Sequence, residues 1–205
     1  MKALAGFAAW MTGSILSAEL LGYWLHRLLH SGAIGFLSRN HMRHHLVAYG
    51  PLQQQRSTEY RDATTGSVSL GNVGSEWLIP AALLTAIVAA IFHSFRVRPL
   101  YQCTYFAATW LWSFLMFSTL HDLMHVKGIW LERNRLLRRW FRNARTRHDV
   151  HHCSVNDEGL MDKNFGIGFF LFDRLFGTFS RTAAAFNHNG YRAARERFRS
   201  LLDRY

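Results

Sequence analysis

The chain has 205 residues, enough for one domain with a sizeable interior. It is 49% hydrophobic yet carries a formal net charge of +11, so long apolar stretches alternate with arginine-rich ones, a segregation that suits a membrane protein with basic extramembrane parts. Its two cysteines, Cys103 and Cys153, do not make a disulfide framework and fit an intracellular, reducing setting for the polar parts.

In chain order, residues 3–25 are apolar, with Glu19 as the only charge. Lys2 ahead of such a run also fits a cleaved signal peptide. The run is long enough for a bilayer at about 1.5 Å per residue, and it leads straight into a pair of histidines, which favours a retained span. Glu19 is expected either to accept from a histidine or to reach the polar interface. Residues 26–45 hold histidines and Arg27, Arg39 and Arg43. Residues 46–76 have no sustained period and several glycines, and read as a long loop, either a lid over a site or a plain connection on the membrane surface.

Residues 77–93 form a second apolar stretch, barely long enough to cross, so a re-entrant hairpin is the other reading. Pro80 sits near its start, where a missing backbone donor is tolerated. A hydrophilic break, 94–99, precedes a third apolar stretch, 100–120, rich in aromatics. From 126 onward sixteen Lys or Arg face eight Asp or Glu, densest between Arg133 and Arg147. Anionic lipid headgroups explain that run better than nucleic acid, which is not an expected partner. Within it, Phe165 to Phe179 reads as a half-buried interfacial helix, and Tyr191 to Tyr205 as a polar amphipathic helix.

The fold class expected is all-α: an integral membrane protein with about three to four transmembrane or re-entrant helices and a cytoplasmic, histidine-rich helical cap. The whole chain, 1–205, forms one domain, with spans at 3–25, 77–93 and 100–120 and site and cap regions at 26–76 and 121–205. With an even number of crossings between them, 26–45 and 121–152 share a face. Most arginines lie on that face, which makes it cytoplasmic.

Ten of the twelve histidines fall into four clusters. His26 and His30 form a His-x-x-x-His pair, and His41, His44 and His45 a His-x-x-His-His box. The order repeats with His121 and His125, then His148, His151 and His152. Residues three or four apart share a helix face, so each cluster aims imidazoles at one point and the box turns one aside toward a neighbouring metal. Neutral imidazole binds iron, zinc and copper well. Ten such groups exceed what one ion uses and suit two. Neither pair has Glu in second position (His26-Arg27, His121-Asp122), which argues against a zinc protease. His93 and His188 stand apart from the set.

This doubled order resembles the fatty acid hydroxylase/sterol desaturase superfamily. Tyr23-Trp24-Leu25-His26-Arg27-Leu28-Leu29-His30, Asn164-Phe165-Gly166 and Phe172-Asp173-Arg174-Leu175-Phe176-Gly177-Thr178 resemble further motifs of that superfamily. The resemblance implies a membrane oxidoreductase with two Fe ions held by the ten histidines and dioxygen as co-substrate. It implies hydroxylation or desaturation of an unactivated C–H bond of a lipid substrate. Two electrons come from a separate donor, a small haem protein, ferredoxin or reductase. Asp122 is the expected catalytic-site carboxylate, orienting a ligand imidazole through its far nitrogen. Asp173, Arg174 and Asn164 read as structural. Bacterial carotenoid hydroxylases are similarly short, but Leu46 to Pro51 does not resemble their acidic motif, so a fatty acyl or sterol-like substrate ranks first. A non-redox metal carrier is the alternative from another class.

Overall fold

The computed structural model describes residues 2–51, 53–55 and 78–203. Most of the loop expected at 46–76 lies outside the described residues. Among them the chain is helical, with no strand beyond one isolated bridge between Val155 and Met161.

The first helix, α1 (Lys2–Ser31), carries the apolar run and the first histidine pair on one rod of 30 residues, about 45 Å at 1.5 Å per residue. It stops at Gly32, whose φ of +70° opens the left-handed region. A Cβ there would also meet the Phe198 ring at 2.9 Å, so only glycine fits. The chain then doubles back as α2 (Gly35–Arg43), which runs into a π-helical turn, His44–Ala48.

Helix α3 (Leu78–Ser94) and helix α4 (Pro99–Ser113) form a hairpin. Pro99 sits in the first turn of α4, where its missing N–H costs nothing. A second π-helical turn, Phe114–Leu120, continues α4 without a break into α5 (His121–Met124). Helix α1 packs along this rod. Trp10 stacks on Tyr101 at 5.5 Å near one end. Toward the other, Phe117 lies so close over Gly22 that a Cβ would come within 1.9 Å of its ring.

The arginine-rich half begins with α6 (Trp130–Arg133) and α7 (Arg138–Cys153). Helix α7 buries Phe141, Ala144, Arg145, His148, His151 and His152, a three-and-four spacing that defines one face. Helices α8 (Leu171–Leu175), α9 (His188–Arg197) and α10 (Arg199–Leu202) follow. Two apolar clusters flank the histidines. One gathers Leu120, Met124, Phe141, Ile167 and Phe170. The other gathers Met42, Leu46, Met161, Ala194 and Phe198.

Three expectations change. Among the described residues no helix is long and apolar enough to cross a membrane. Helix α3 has only 17 residues, and α1 mixes its apolar residues with Gly, Ser, Thr and Glu19. The interfacial helix expected over Phe165–Phe179 shrinks to the five residues of α8, because Asp173 turns inward to hold the preceding loop. The C-terminal helix is broken at Phe198, which is buried against the second apolar cluster.

A candidate dinuclear metal centre

The four clusters converge. Each of the ten histidines is at most 5% exposed, and their ring nitrogens fall into two groups of five, within 4.8 Å of one another in each. The first group is His26, His30, His41, His45 and His151; the second is His44, His121, His125, His148 and His152. The pattern follows from helix geometry. Residues four apart stay together: His26 with His30, His41 with His45, His121 with His125, His148 with His152. The middle histidine of each box crosses over, His44 to the second group and His151 to the first. Each half of the chain thus supplies four nitrogens to one group and lends one to the other. The groups touch where the His45 and His152 rings stack at 3.9 Å.

Backbone carbonyls fix the tautomers. His26 Nδ1 donates to the Phe165 carbonyl at 2.6 Å, and His151 Nδ1 to that of Lys163 at 2.6 Å. His125 Nδ1 donates to the Gln54 carbonyl at 2.6 Å, and His152 Nδ1 to that of Tyr49 at 3.0 Å. A carbonyl only accepts, so in these neutral rings Nδ1 holds the proton and Nε2 presents a lone pair. These lone pairs point inward. His148 Nε2 lies 3.0 Å from His125 Nε2 and 3.2 Å from His152 Nε2, and it has at most one proton for the two. His30 Nε2 lies 3.0 Å from His151 Nε2 and 2.9 Å from His41 Nε2. The Nε2 atoms of His26, His44 and His45 are buried with no hydrogen-bond partner. Converging lone pairs repel unless a cation sits among them, so the donor set fits metal ions, one per group.

Electrostatics agree. Burial, then the fields of neighbouring histidines, holds His30, His41, His44, His45 and His148 well below the usual imidazole range. His26, His125 and His152 are lowered in the same way, with their carbonyl bonds opposing. His151 is pushed down by burial to about 4. At neutral pH these imidazoles are unprotonated, the form that binds metal.

The supporting residues lie mostly outside the histidine motifs. Asn164, with φ +54°, donates to the Arg147 and Ser180 carbonyls and accepts from Ser180 N. Buried Asp173 accepts from Phe165 N, Gly166 N and Thr178 Oγ1. Arg145, buried on α7, pairs with Glu132 and donates to the Leu123 and Val126 carbonyls at 3.1 and 2.7 Å, which ties α7 to the stretch bearing His125. Sequence reasoning missed Arg145. Its position three residues before His148, on the buried face, was the available signal. The four carbonyls that bind imidazoles have no side-chain signature at all.

Asp122 is half-exposed, its carboxylate 3.7 Å from His121 Nδ1. Glu19 meets no histidine; it accepts from Trp112 Nε1 at 2.7 Å. His93 and His188 are exposed and belong to neither group.

No curated protein and no solved structure matches the chain. The family model for fatty acid hydroxylase matches residues 11–178, a segment that contains all ten clustered histidines and ends at Thr178. The motif order, the convergence of the boxes and that match agree: the chain belongs to the fatty acid hydroxylase family, a family of oxidoreductases within the superfamily its motifs resemble.

Proposed function

We propose that this chain is a membrane-bound diiron oxygenase that hydroxylates or desaturates an unactivated C–H bond of a lipid, fatty acyl or sterol-like. The observation that carries the reading is the pair of buried five-nitrogen groups in a member of the fatty acid hydroxylase family. Two iron ions bound there supply dioxygen activation and oxidation of the C–H bond.

The chain's own residues orient and shield. The carbonyls of Tyr49, Gln54, Lys163 and Phe165 hold Nδ1 protons outward, so Nε2 faces the metals. The flanking apolar clusters keep bulk water from the centre. Asp122 orients His121 through its outer nitrogen, which the 3.7 Å approach supports. The lipid arrives from the apolar side. Leu83, Ile87 and Ile91 form an outward stripe on α3, and Trp110, Leu111 and Phe114 an outward patch where α4 meets the second π turn. These surfaces support a bilayer as the surrounding medium, with the histidine boxes on its arginine-rich, cytoplasmic side. Residues 1–205 act as one domain, and a separate small haem protein, ferredoxin or reductase delivers two electrons.

The test combines two assays. Protein from iron-fed cells should consume dioxygen when given a reductant. Lipids from cells with and without the gene should differ by about 16 or about 2 daltons, the mass changes of oxygen insertion and dehydrogenation by this chemistry. Tightly bound zinc with no dioxygen consumption favours the metal-carrier class instead.

A further inference from the structure

The two histidine groups rest on outer supports of different build. In the first, the carbonyls that hold His26 and His151 belong to Phe165 and Lys163, either side of Asn164. That turn is anchored by fully buried side chains, Asn164 bridging to Arg147 and Ser180, and Asp173 gripping two backbone N–H groups and Thr178. In the second, the carbonyls that hold His152 and His125 belong to Tyr49 and Gln54, on the strap that leaves the second box. This strap is clipped to α7 by two flexible amides. Gln54 Nε2 donates to Cys153 Sγ at 2.7 Å, and Gln55 Nε2 donates to Asp149 Oδ2 at 2.8 Å. Asp149 lies within the fourth box yet belongs to neither nitrogen group; its carboxylate accepts from the strap.

We propose that the two metal positions are unequal, and that Gln55 and Asp149 form a positioning clamp that sets how firmly the second position retains its metal. Gln55 is the neighbour of the residue whose carbonyl holds His125. With the clamp closed, that carbonyl stays on Nδ1 and His125 keeps its Nε2 aimed inward. With it open, the strap competes for water and the ring gains freedom. A hydrogen bond to a charged acceptor is the strongest kind such an amide makes, and loss of an outer partner of a metal-binding histidine typically weakens metal affinity about 10–100-fold. The first position has no such release point, because its turn is locked by buried groups. This inference rests on the two-metal reading above.

The test uses the full chain in lipid nanodiscs, loaded with ferrous iron, with release into excess chelator followed by absorbance. The wild type should release its metal in two phases, one ion each. Gln55→Ala and Asp149→Ala should quicken the fast phase roughly 10–100-fold and leave the slow phase alone. Asp149→Asn, whose neutral amide oxygen still accepts from Gln55 but more weakly than the carboxylate, should release metal at a rate between those of Asp149→Ala and the wild type. Thr178→Val, which loosens Asp173, should quicken only the slow phase. Two ions leaving in one common phase, or clamp variants that change both phases alike or neither, overturn the proposal. Fewer than two ions bound before chelation is a different failure, of amplitude and not of rate, and it overturns the two-metal reading along with the clamp.

Discussion

His148 sits where the second group is tightest, 3.0 Å from one inward nitrogen and 3.2 Å from another. Truncating it removes a ligand and leaves a buried polar void. His148→Ala should therefore bind one metal ion fewer than wild type and lose activity by more than about 100-fold, beyond the usual effect of losing an outer partner; full metal content and turnover would remove it from the ligand set. Gly22 is a second residue whose role is purely steric. Its missing Cβ makes room for Phe117. Gly22→Ala should destabilise the protein by about 1–3 kcal/mol, the usual cost of overpacking, and Phe117→Leu in the same chain should recover much of it, as read by chemical denaturation. Glu19 shows where residue-level reading from sequence stops. A lone carboxylate in an apolar run needs a partner, and that was legible; the choice of Trp112, 93 positions away, depends on how α1 and α4 pack.

Among the elements, the π turns matter most to the site. One carries His44 and His45, and the other ends at Leu120, immediately before His121. A π turn accommodates an extra residue, so it resets the angular register of everything after it. Inserting one alanine after Thr119, which is exposed, adds a residue beyond the one the π turn already holds and should rotate His121 and His125 by about 100° away from the centre. The expected result is loss of the second metal with the first retained, measured as metal per chain. Retention of both metals with normal helicity would show that the register is set elsewhere. No residue pattern in 114–120 announces a π turn, so this part of the site was not legible in advance. The pairing of histidines four apart was legible, because it needs only the helix repeat. So was the turned-aside histidine of each box. Which group it joins required the packing of α2 against α1 and of α7 beneath them.

At the scale of the whole molecule, the centre links stability to pH. The folded chain holds His26, His30, His41, His44, His45, His125, His148 and His152 below their unfolded value near 6.5, and His151 at about 4. A lowered folded value means that the unfolded chain binds more protons between the two values. The stabilisation is complete above pH 6.5 and is lost as pH falls through the window down to about 4. His151 alone contributes on the order of 3 kcal/mol across that window. The metal-free protein should thus melt progressively lower from pH 7 to pH 5, and bound metal should oppose that decline near neutrality. A melting temperature flat over that range would contradict the buried, neutral histidines. The helical class and the common fate of the four clusters were readable from hydropathy and spacing. Residues 3–25 did become one rod with the first histidine pair. The supports were not readable, because they are backbone carbonyls brought to the rings by distant turns.

In the proposed function the ten histidines hold two iron ions. Its most direct test is the iron content per chain of protein purified from iron-fed cells, with His44→Ala and His151→Ala measured alongside. Two irons per chain are expected in the wild type, with loss of iron from the second position in His44→Ala but from the first in His151→Ala, since these two residues cross between the halves. One iron or none in the wild type, or two irons unchanged in both variants, would contradict that function.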